Sequence, residues 1–260
     1  MLLEIKEVTK IFGGLKAVDT VSLQIEEGIV TSLIGPNGAG KTTLFNCITG
    51  VFSPTSGTIS FCGKPIFNLN AHQIARCGIS RTFQNIRIFS DMTVIENVMV
   101  GGYTQSLPTR NSLFKAIFRG PAFYADEQHL QKKALELLDF VGLSGQTQSL
   151  SRSLSYGDQR RLEIARGLAA NPILLLLDEP AAGMNPKETE KLMVLIGKIR
   201  TLGVTPFLIE HNMKMVMNIS DHIVVLDHGI KIAEGTPQTI LSNEQVVEAY
   251  LGRQKEKVAG

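Results

Sequence analysis

Residues 30–43 read VTSLIGPNGAGKTT: a short β-type run, a loop of the pattern G-x-x-x-x-G-K-T from Gly35 to Thr42, and a helix-type segment that begins at Lys41. Strand, glycine loop and helix in this order form the setting in which such a loop cradles phosphate. Gly35, Gly38 and Gly40, with Pro36, Asn37 and Ala39 among them, let the backbone turn so that its N–H groups point at phosphate oxygens. Lys41 brings a point charge to the β- and γ-phosphates, Thr42 places a hydroxyl on Mg²⁺, and Thr43 belongs to the same binding set. The loop is therefore expected to hold the phosphates of a nucleotide together with Mg²⁺.

Outward from this loop the chain changes character in an orderly way. Before it, Val21, Leu23 and Ile25 alternate like a strand, and residues 58–62 do so after it, with glycine turns between. From about Ser90 to Gly142 the chain is helix-biased, and DEQHLQKKALELLDFVG ends at Gly142, where a C-terminal cap belongs. This stretch is the expected inserted helical lobe. ILLLLD (173–178), VTPFLIE (204–210) and HIVVLD (222–227) then alternate with helix-type segments, the pattern of a parallel sheet covered on both faces. RNSLFKAIFRGPAFY (110–124), basic and aromatic but broken by Gly and Pro, is placed only loosely, and the terminal RQKEKVAG is expected to fray.

With 260 residues and 43% apolar content the chain can bury the core of one large domain, or of one domain with a smaller lobe. The 26 basic and 24 acidic residues leave a net charge of +2, too small for a field that would recruit nucleic acid. Three cysteines, Cys47, Cys62 and Cys77, show no C-x-x-C spacing, so neither a disulfide framework nor a zinc cluster is expected and a reducing compartment fits best. MLLEIKEVTK acquires charge by its fourth residue and does not read as a signal peptide. The aliphatic run Ile173 to Leu177 is far too short to span a bilayer, so work at a membrane would need other subunits.

That aliphatic run ends in Asp178 and Glu179, the acidic pair expected beside a phosphate-loop metal. Asp178 can reach Mg²⁺ through water, and Glu179 can accept a proton from an attacking water. A strand-end turn residue at Asp178 and a structural carboxylate at Glu179 are the competing readings. LSYGDQ (154–159) sets Ser155 and Gly157 in a polar turn ahead of the amphipathic RRLEIARGLAA. Ser155 is an N-cap candidate, which would leave backbone donors free for an anion.

Taken together, GPNGAGKTT, Gln84, LSYGDQ, LLLLDEP and His211 resemble, in order, the phosphate loop, Q-loop, signature motif, Walker B motif and switch histidine of ABC-type ATPases. The resemblance covers nearly the whole chain. It implies an α/β fold: a P-loop NTPase core with an N-terminal antiparallel β subdomain and an inserted helical lobe. Within a single 1–260 domain, residues 1–89 and 160–260 would form the core and 90–159 the lobe. It also implies catalytic roles for Lys41, Gln84, Glu179 and His211, metal contacts from Thr42, Gln84 and Asp178, and adenine stacking on Phe12, for which a buried core phenylalanine is the alternative. Ser155 and Gly157 would close over the ATP of a second ATPase subunit, identical or homologous. LSYGDQ departs from the common LSGGQ form at Tyr156 and Asp158. Asn185 replaces the usual D-loop aspartate, and Asn185-Pro186 with Glu188 also reads as a capping box.

Within the family, SYGDQRRLEIAR, LLLLDEPAAGMNPKE, LIEHNMKMVMNISD and EGTPQTILSNEQVVEAYLG resemble the ATP-binding subunit of branched-chain amino acid importers. The resemblance implies a peripheral protein on the cytoplasmic face of the inner membrane, with two integral permease subunits and, indirectly, a substrate-binding protein as partners, and no nucleic acid. Lipopolysaccharide-export ATPases, with a similar C-terminus, and soluble non-transport ABC ATPases are the alternatives. NIRIFSDMT (85–93) would dock the permease, Ile86, Ile88 and Phe89 forming an apolar floor with Arg87 at its rim, unless these are ordinary core residues. The short tail after Gly235 is expected to hold no regulatory domain.

Overall fold

The computed structural model describes residues 1–106 and 121–250. Residues 110–120 of the loosely placed stretch, and all of RQKEKVAG, lie outside the described residues. Along the chain come β1 (Leu3–Phe12), β2 (Leu15–Ile25), β3 (Thr31–Ile34), α1 (Lys41–Ile48), β4 (Ser56–Phe61), β5 (Lys64–Pro65), α2 (Ala71–Arg76) and β6 (Ile79–Arg81). Three longer helices follow, α3 (Val94–Ser106), α4 (Pro121–Phe140) and α5 (Tyr156–Ala169). Strands and helices then alternate as β7 (Leu174–Asp178), α6 (Pro186–Ile199), β8 (Thr205–Ile209), α7 (Met213–Ile219) and β9 (His222–Asp227), and the described chain continues through β10 (Ile230–Gly235) and α8 (Pro237–Leu241).

The strands form two sheets. One is antiparallel with the order β2-β1-β4-β5, pairing Leu3 with both Ile25 and Phe61. The other has the order β10-β9-β3-β8-β7-β6, parallel from β9 to β6 with β10 antiparallel at its edge. β3, β7 and β8 are buried at every position, which is why β7 in particular reads as a continuous apolar run and not as an alternating one.

The period of two on β7 still has a consequence, because its leucines serve two cores. Leu174 and Leu176 join β1, β2, β4 and α1 in a cluster between the sheets, with Leu3, Ile5, Leu44 and Phe45. Leu175 and Leu177 point the other way, into a cluster with Val94, Leu138, Leu162, Ala165, Leu192 and Ile196. The helices α3, α4, α5 and α6 therefore share one apolar core with the sheet, and each fully buried leucine there contributes about 2 kcal/mol. A third cluster sets Ile34, at the mouth of the phosphate loop, against Val216, Val225, Ile240 and Val246. α4 ends at Phe140, and Gly142 follows at φ 75° with Leu143 N–H donating back to the Leu138 carbonyl, as the C-cap expectation requires.

Candidate functional site

The phosphate loop leaves β3 against two walls of backbone. A Cβ on Gly35 (φ 149°) would lie 2.0 Å from the Leu226 carbonyl oxygen, and one on Gly40 (φ 95°) 2.3 Å from that of Ala17, so only glycine fits at either position. Behind the loop, the β9–β10 turn braces it: Gly229 N–H donates to the Ala39 carbonyl, and the Gly229 carbonyl accepts from Asp19 N–H. The open side carries Asn37, Gly38 and Thr42, all exposed. Gly40 caps α1 without any side-chain hydrogen bond, so the helix presents its first N–H groups and no acidic residue in its first turn, a ready anion site. Lys41 is buried at the start of α1, with Thr43 half-buried two residues on, and its Nζ donates to the carbonyls of Gly35 and Pro36 at 2.7 and 2.9 Å.

Two strands away, Asp178 ends β7 with 3% of its surface exposed. Glu179 follows at φ 47°, a left-handed conformation costing a non-glycine residue on the order of 1–3 kcal/mol, while its N–H stays on the ladder through the Ile209 carbonyl. The bend turns the carboxylate to two groups from distant segments. Gln84 Nε2 donates to Glu179 Oε2 at 2.8 Å, and His211 Nδ1 stands 3.6 Å from that same oxygen. The second distance is beyond a hydrogen bond. Gln84, Glu179 and His211 are thus brought together on one oxygen atom.

The residues present fit a hard divalent cation with phosphate. Such an ion takes one or two carboxylates and fills its shell with water and phosphate oxygens. Thr42 and Asp178 are oxygen donors of this kind, and among the described residues no group of three or more His, Cys, Asp or Glu side chains forms an all-protein cage.

Ser155 lies at the exposed N-terminus of α5, where its Oγ accepts from Asp158 N–H at 3.2 Å as an N-cap. Gly157 is buried beneath it, its missing Cβ 2.8 Å from Glu188 Oε1. Burial works to raise the Asp158 carboxyl, but hydrogen bonds from Arg161 and Gln146 outweigh it and hold the group below its ordinary value. Phe12 is 41% exposed, which removes the buried-core alternative, and it meets Phe52 edge-on at 5.1 Å with Lys10 Nζ 5.0 Å from its ring. Asn185 and Glu188 form the reciprocal capping box at the start of α6.

Several polar residues at the site had no role assigned from the sequence. Arg81 joins Asp178 Oδ2 at 2.7 Å. Arg160 and Glu163, both buried on α5, pair at 2.8 Å and grip the Q-loop backbone, with Arg160 donating to the Phe83 and Gln84 carbonyls and Glu163 accepting from Phe83 and Arg87 N–H. Tyr156, the first departure from the common signature, packs its ring edge beside Gly183 and lies 3.4 Å from Arg160 Nη2. Glu210, 1% exposed, accepts from Ala181, His211 and Asn212 N–H, yet burial outweighs these bonds and pushes its carboxyl up. The available signal was the charge in the otherwise apolar VTPFLIE.

A groove beside the Q-loop is lined by Ile74, Ala75, Phe83, Arg87, Ile88 and Phe89, among others. Ile88 and Phe89 thus reach it as expected, whereas Ile86 is not part of its lining. Phe89 is 46% exposed, so it is no ordinary core residue.

Comparison with known proteins bears on this geometry. Residues 18–182 match the ABC transporter family model, and residues 231–256 match a model described as branched-chain amino acid ATP-binding cassette transporter. The high-affinity branched-chain amino acid transport ATP-binding protein BraF of Pseudomonas aeruginosa is 49% identical over 96% of this chain and 98% of its own length. LivG of Escherichia coli K12, which carries the same description, is 46% identical with the same coverage. Among solved structures, a nucleotide-free ATP-binding cassette from an ABC transporter superimposes with a TM-score of 0.83 at 35% identity, covering 96% of this chain and 98% of that one. A dimeric bacterial ABC transporter cassette gives 0.76 at 26% identity, with 91% and 99% covered. With its glycine loop against β9 and its acidic strand end beside Gln84 and His211, the chain belongs to the ATP-binding cassette family of ABC transporters.

Proposed function

We propose that this chain is the ATP-hydrolysing, energy-coupling subunit of an importer for branched-chain amino acids, held at the cytoplasmic face of the inner membrane by two integral permease subunits. The observation that carries the hydrolytic part is the meeting of Gln84 and His211 on Glu179 Oε2. The substrate class rests on the descriptions of the relatives and on the description of the family model that matches residues 231–256. Among the described residues no helix is long and apolar enough to cross a membrane, so the reading includes partners that do.

In the proposed reaction, the loop of residues 35–40 turns the N–H groups that follow Pro36 to the phosphates and Phe12 stacks on the base. Lys41 exchanges the Gly35 and Pro36 carbonyls for β- and γ-phosphate oxygens. Glu179 takes a proton as water attacks the γ-phosphorus in line, the new P–O bond forming as the bond to the bridging oxygen of ADP breaks. Gln84 and His211 fix Glu179 and the water in line with the γ-phosphate. Thr42, Asp178 and Gln84 would hold Mg²⁺, which when bound neutralises charge on the phosphate oxygens. Ser155 and Gly157 face the ATP of a second cassette, so each nucleotide bridges two subunits and its hydrolysis releases the closed pair. We take 1–89 and 160–260 as the nucleotide-binding core, 90–159 as the lobe that carries the signature, and the groove at Ile88 and Phe89 as the permease dock.

Uptake of radiolabelled leucine into cells lacking this chain tests the reading. Wild-type protein should restore uptake and Lys41→Ala should not. Uptake that is normal without the chain would overturn the amino-acid assignment, and a purified chain that binds but never hydrolyses ATP, even with its permease, would overturn the enzymatic one.

A further inference from the structure

Arg81 takes no part in the phosphate chemistry above, yet it is built into the site with care. It closes β6, three residues before Gln84, with 7% of its side chain exposed. Nη2 donates to Asp178 Oδ2 at 2.7 Å, while Nη1 donates to Asn46 Oδ1 at 2.6 Å and to Thr49 Oγ1 at 3.2 Å. Its guanidinium carbon lies 5.8 Å from the Phe45 ring centre and 5.2 Å from that of Phe83. Nε is buried without a hydrogen-bond partner.

A buried ion pair is seldom the most stable way to fill such a space, since apolar side chains of equal volume do as well or better. An orphaned N–H adds to the cost. The arrangement gains its value from where the three acceptors sit. Asn46 and Thr49 belong to α1 and its C-cap, the helix that opens with Lys41 and Thr42, and Asp178 belongs to β7. Thr42 and Asp178, two of the three side chains proposed to hold the metal, sit on these same two elements. Mg²⁺ demands near-ideal octahedral geometry and keeps several of its waters, so a carboxylate that reaches it through one of them has to be held at a set place relative to α1. A planar guanidinium fork sets such a place, whereas a flexible ammonium supplies only charge.

We propose that Arg81 is a positioning residue for the metal: it ties Asp178 by Oδ2 to α1, holding the carboxylate where its other oxygen serves the ion bound beside Thr42. The inference rests on the reading of Thr42 and Asp178 as metal ligands. The outer partner of a metal ligand, when removed, commonly costs 10- to 100-fold in metal affinity.

Calorimetric titration of the full chain with ATP, in EDTA and then over a series of Mg²⁺ concentrations, tests it without reference to turnover. Wild type, Arg81→Met, Arg81→Lys and Asn46→Ala should bind metal-free ATP within about twofold of one another. The Mg²⁺ concentration that half-saturates the tightening of ATP binding should rise by about tenfold or more in Arg81→Met. Lys should recover part of it, and Asn46→Ala, which keeps the charge but loses an acceptor, should fall between. Wild type that shows no Mg²⁺-dependent tightening would sink the metal reading itself. Wild type that shows it, with all three variants matching, would overturn the role of Arg81. So would a parallel loss of metal-free ATP binding in Arg81→Lys and Asn46→Ala, since that pattern marks a purely structural residue. Arg81→Met leaves Asp178 an uncompensated buried charge, and if it fails to fold the other two variants still decide the matter.

Discussion

At the scale of single residues, the carboxylates of the site differ in what surrounds them, and this separates their roles. Glu179 accepts one side-chain hydrogen bond and faces an exposed histidine, so replacing it by Gln keeps the shape but removes the proton acceptor. Glu179→Gln should bind ATP as wild type does and lose on the order of 10²-fold or more in turnover, measured by phosphate release. Release near the wild-type rate would remove Glu179 from the chemistry. Glu210 is different, because burial raises its carboxyl above the ordinary 4.5. A raised folded-state value means that the folded protein favours the protonated form. The stability it contributes is complete below the unfolded value and is lost as pH rises through the folded one. The melting temperature of wild type relative to Glu210→Gln should therefore fall as pH rises from about 4.5 upward, and a flat difference would contradict the burial argument. The loop glycines, Lys41, Asp178, Glu179 and Ser155 were legible because their chemistry needs a local order of residues that the chain spells out. Arg81 and Arg160 were not, because their partners lie 97 and 77 positions away and come near only when β6 pairs with β7 and α5 packs on the Q-loop.

At the scale of elements, caps were readable and neighbours were not. Ser155, Asn185 and Gly142 mark their helix ends as local geometry dictates. The sheet order β10-β9-β3-β8-β7-β6 was not available, since parallel strands meet through crossovers and their apolar runs look alike. The division of β7 between two cores escapes the sequence for a related reason: five buried positions in a row hide the period of two. Helix packing also explains the groove beside the Q-loop. Ile88 packs against the helical cluster from its edge while lining the groove, so it is half-buried. Ile88→Glu should abolish co-purification with the permease subunits while the chain still folds and binds ATP. A folded variant that remains in the complex would move the dock elsewhere, and an unfolded one would make Ile88 a core residue first.

At the scale of the whole molecule, the question is whether the phosphate loop and the signature turn meet within one chain or between two. Each is open on its own: Asn37 and Gly38 are exposed at the loop, and Ser155 at the start of α5. In a head-to-tail pair each composite site takes Lys41 from one subunit and Ser155 from the other. A mixed dimer of Lys41→Ala with Ser155→Arg then gathers both defects into one site and leaves the second intact, so roughly half the wild-type activity should survive if the sites act independently. Ser155→Arg also removes an N-cap, at a cost of about 1 kcal/mol, so its melting temperature has to be checked beside wild type. Cooperation between sites would lower the surviving turnover, and proximity gives the cleaner measurement. In the Glu179→Gln background with Cys47, Cys62 and Cys77 replaced, single cysteines go to Ser155 and Asn37, since Ala39 is fully buried and out of reach of a crosslink. ATP should drive a disulfide between chains, which needs the two α-carbons within about 7 Å. If ATP is bound and crosslinks form only within single chains, the shared site and the closing stroke built on it both fail.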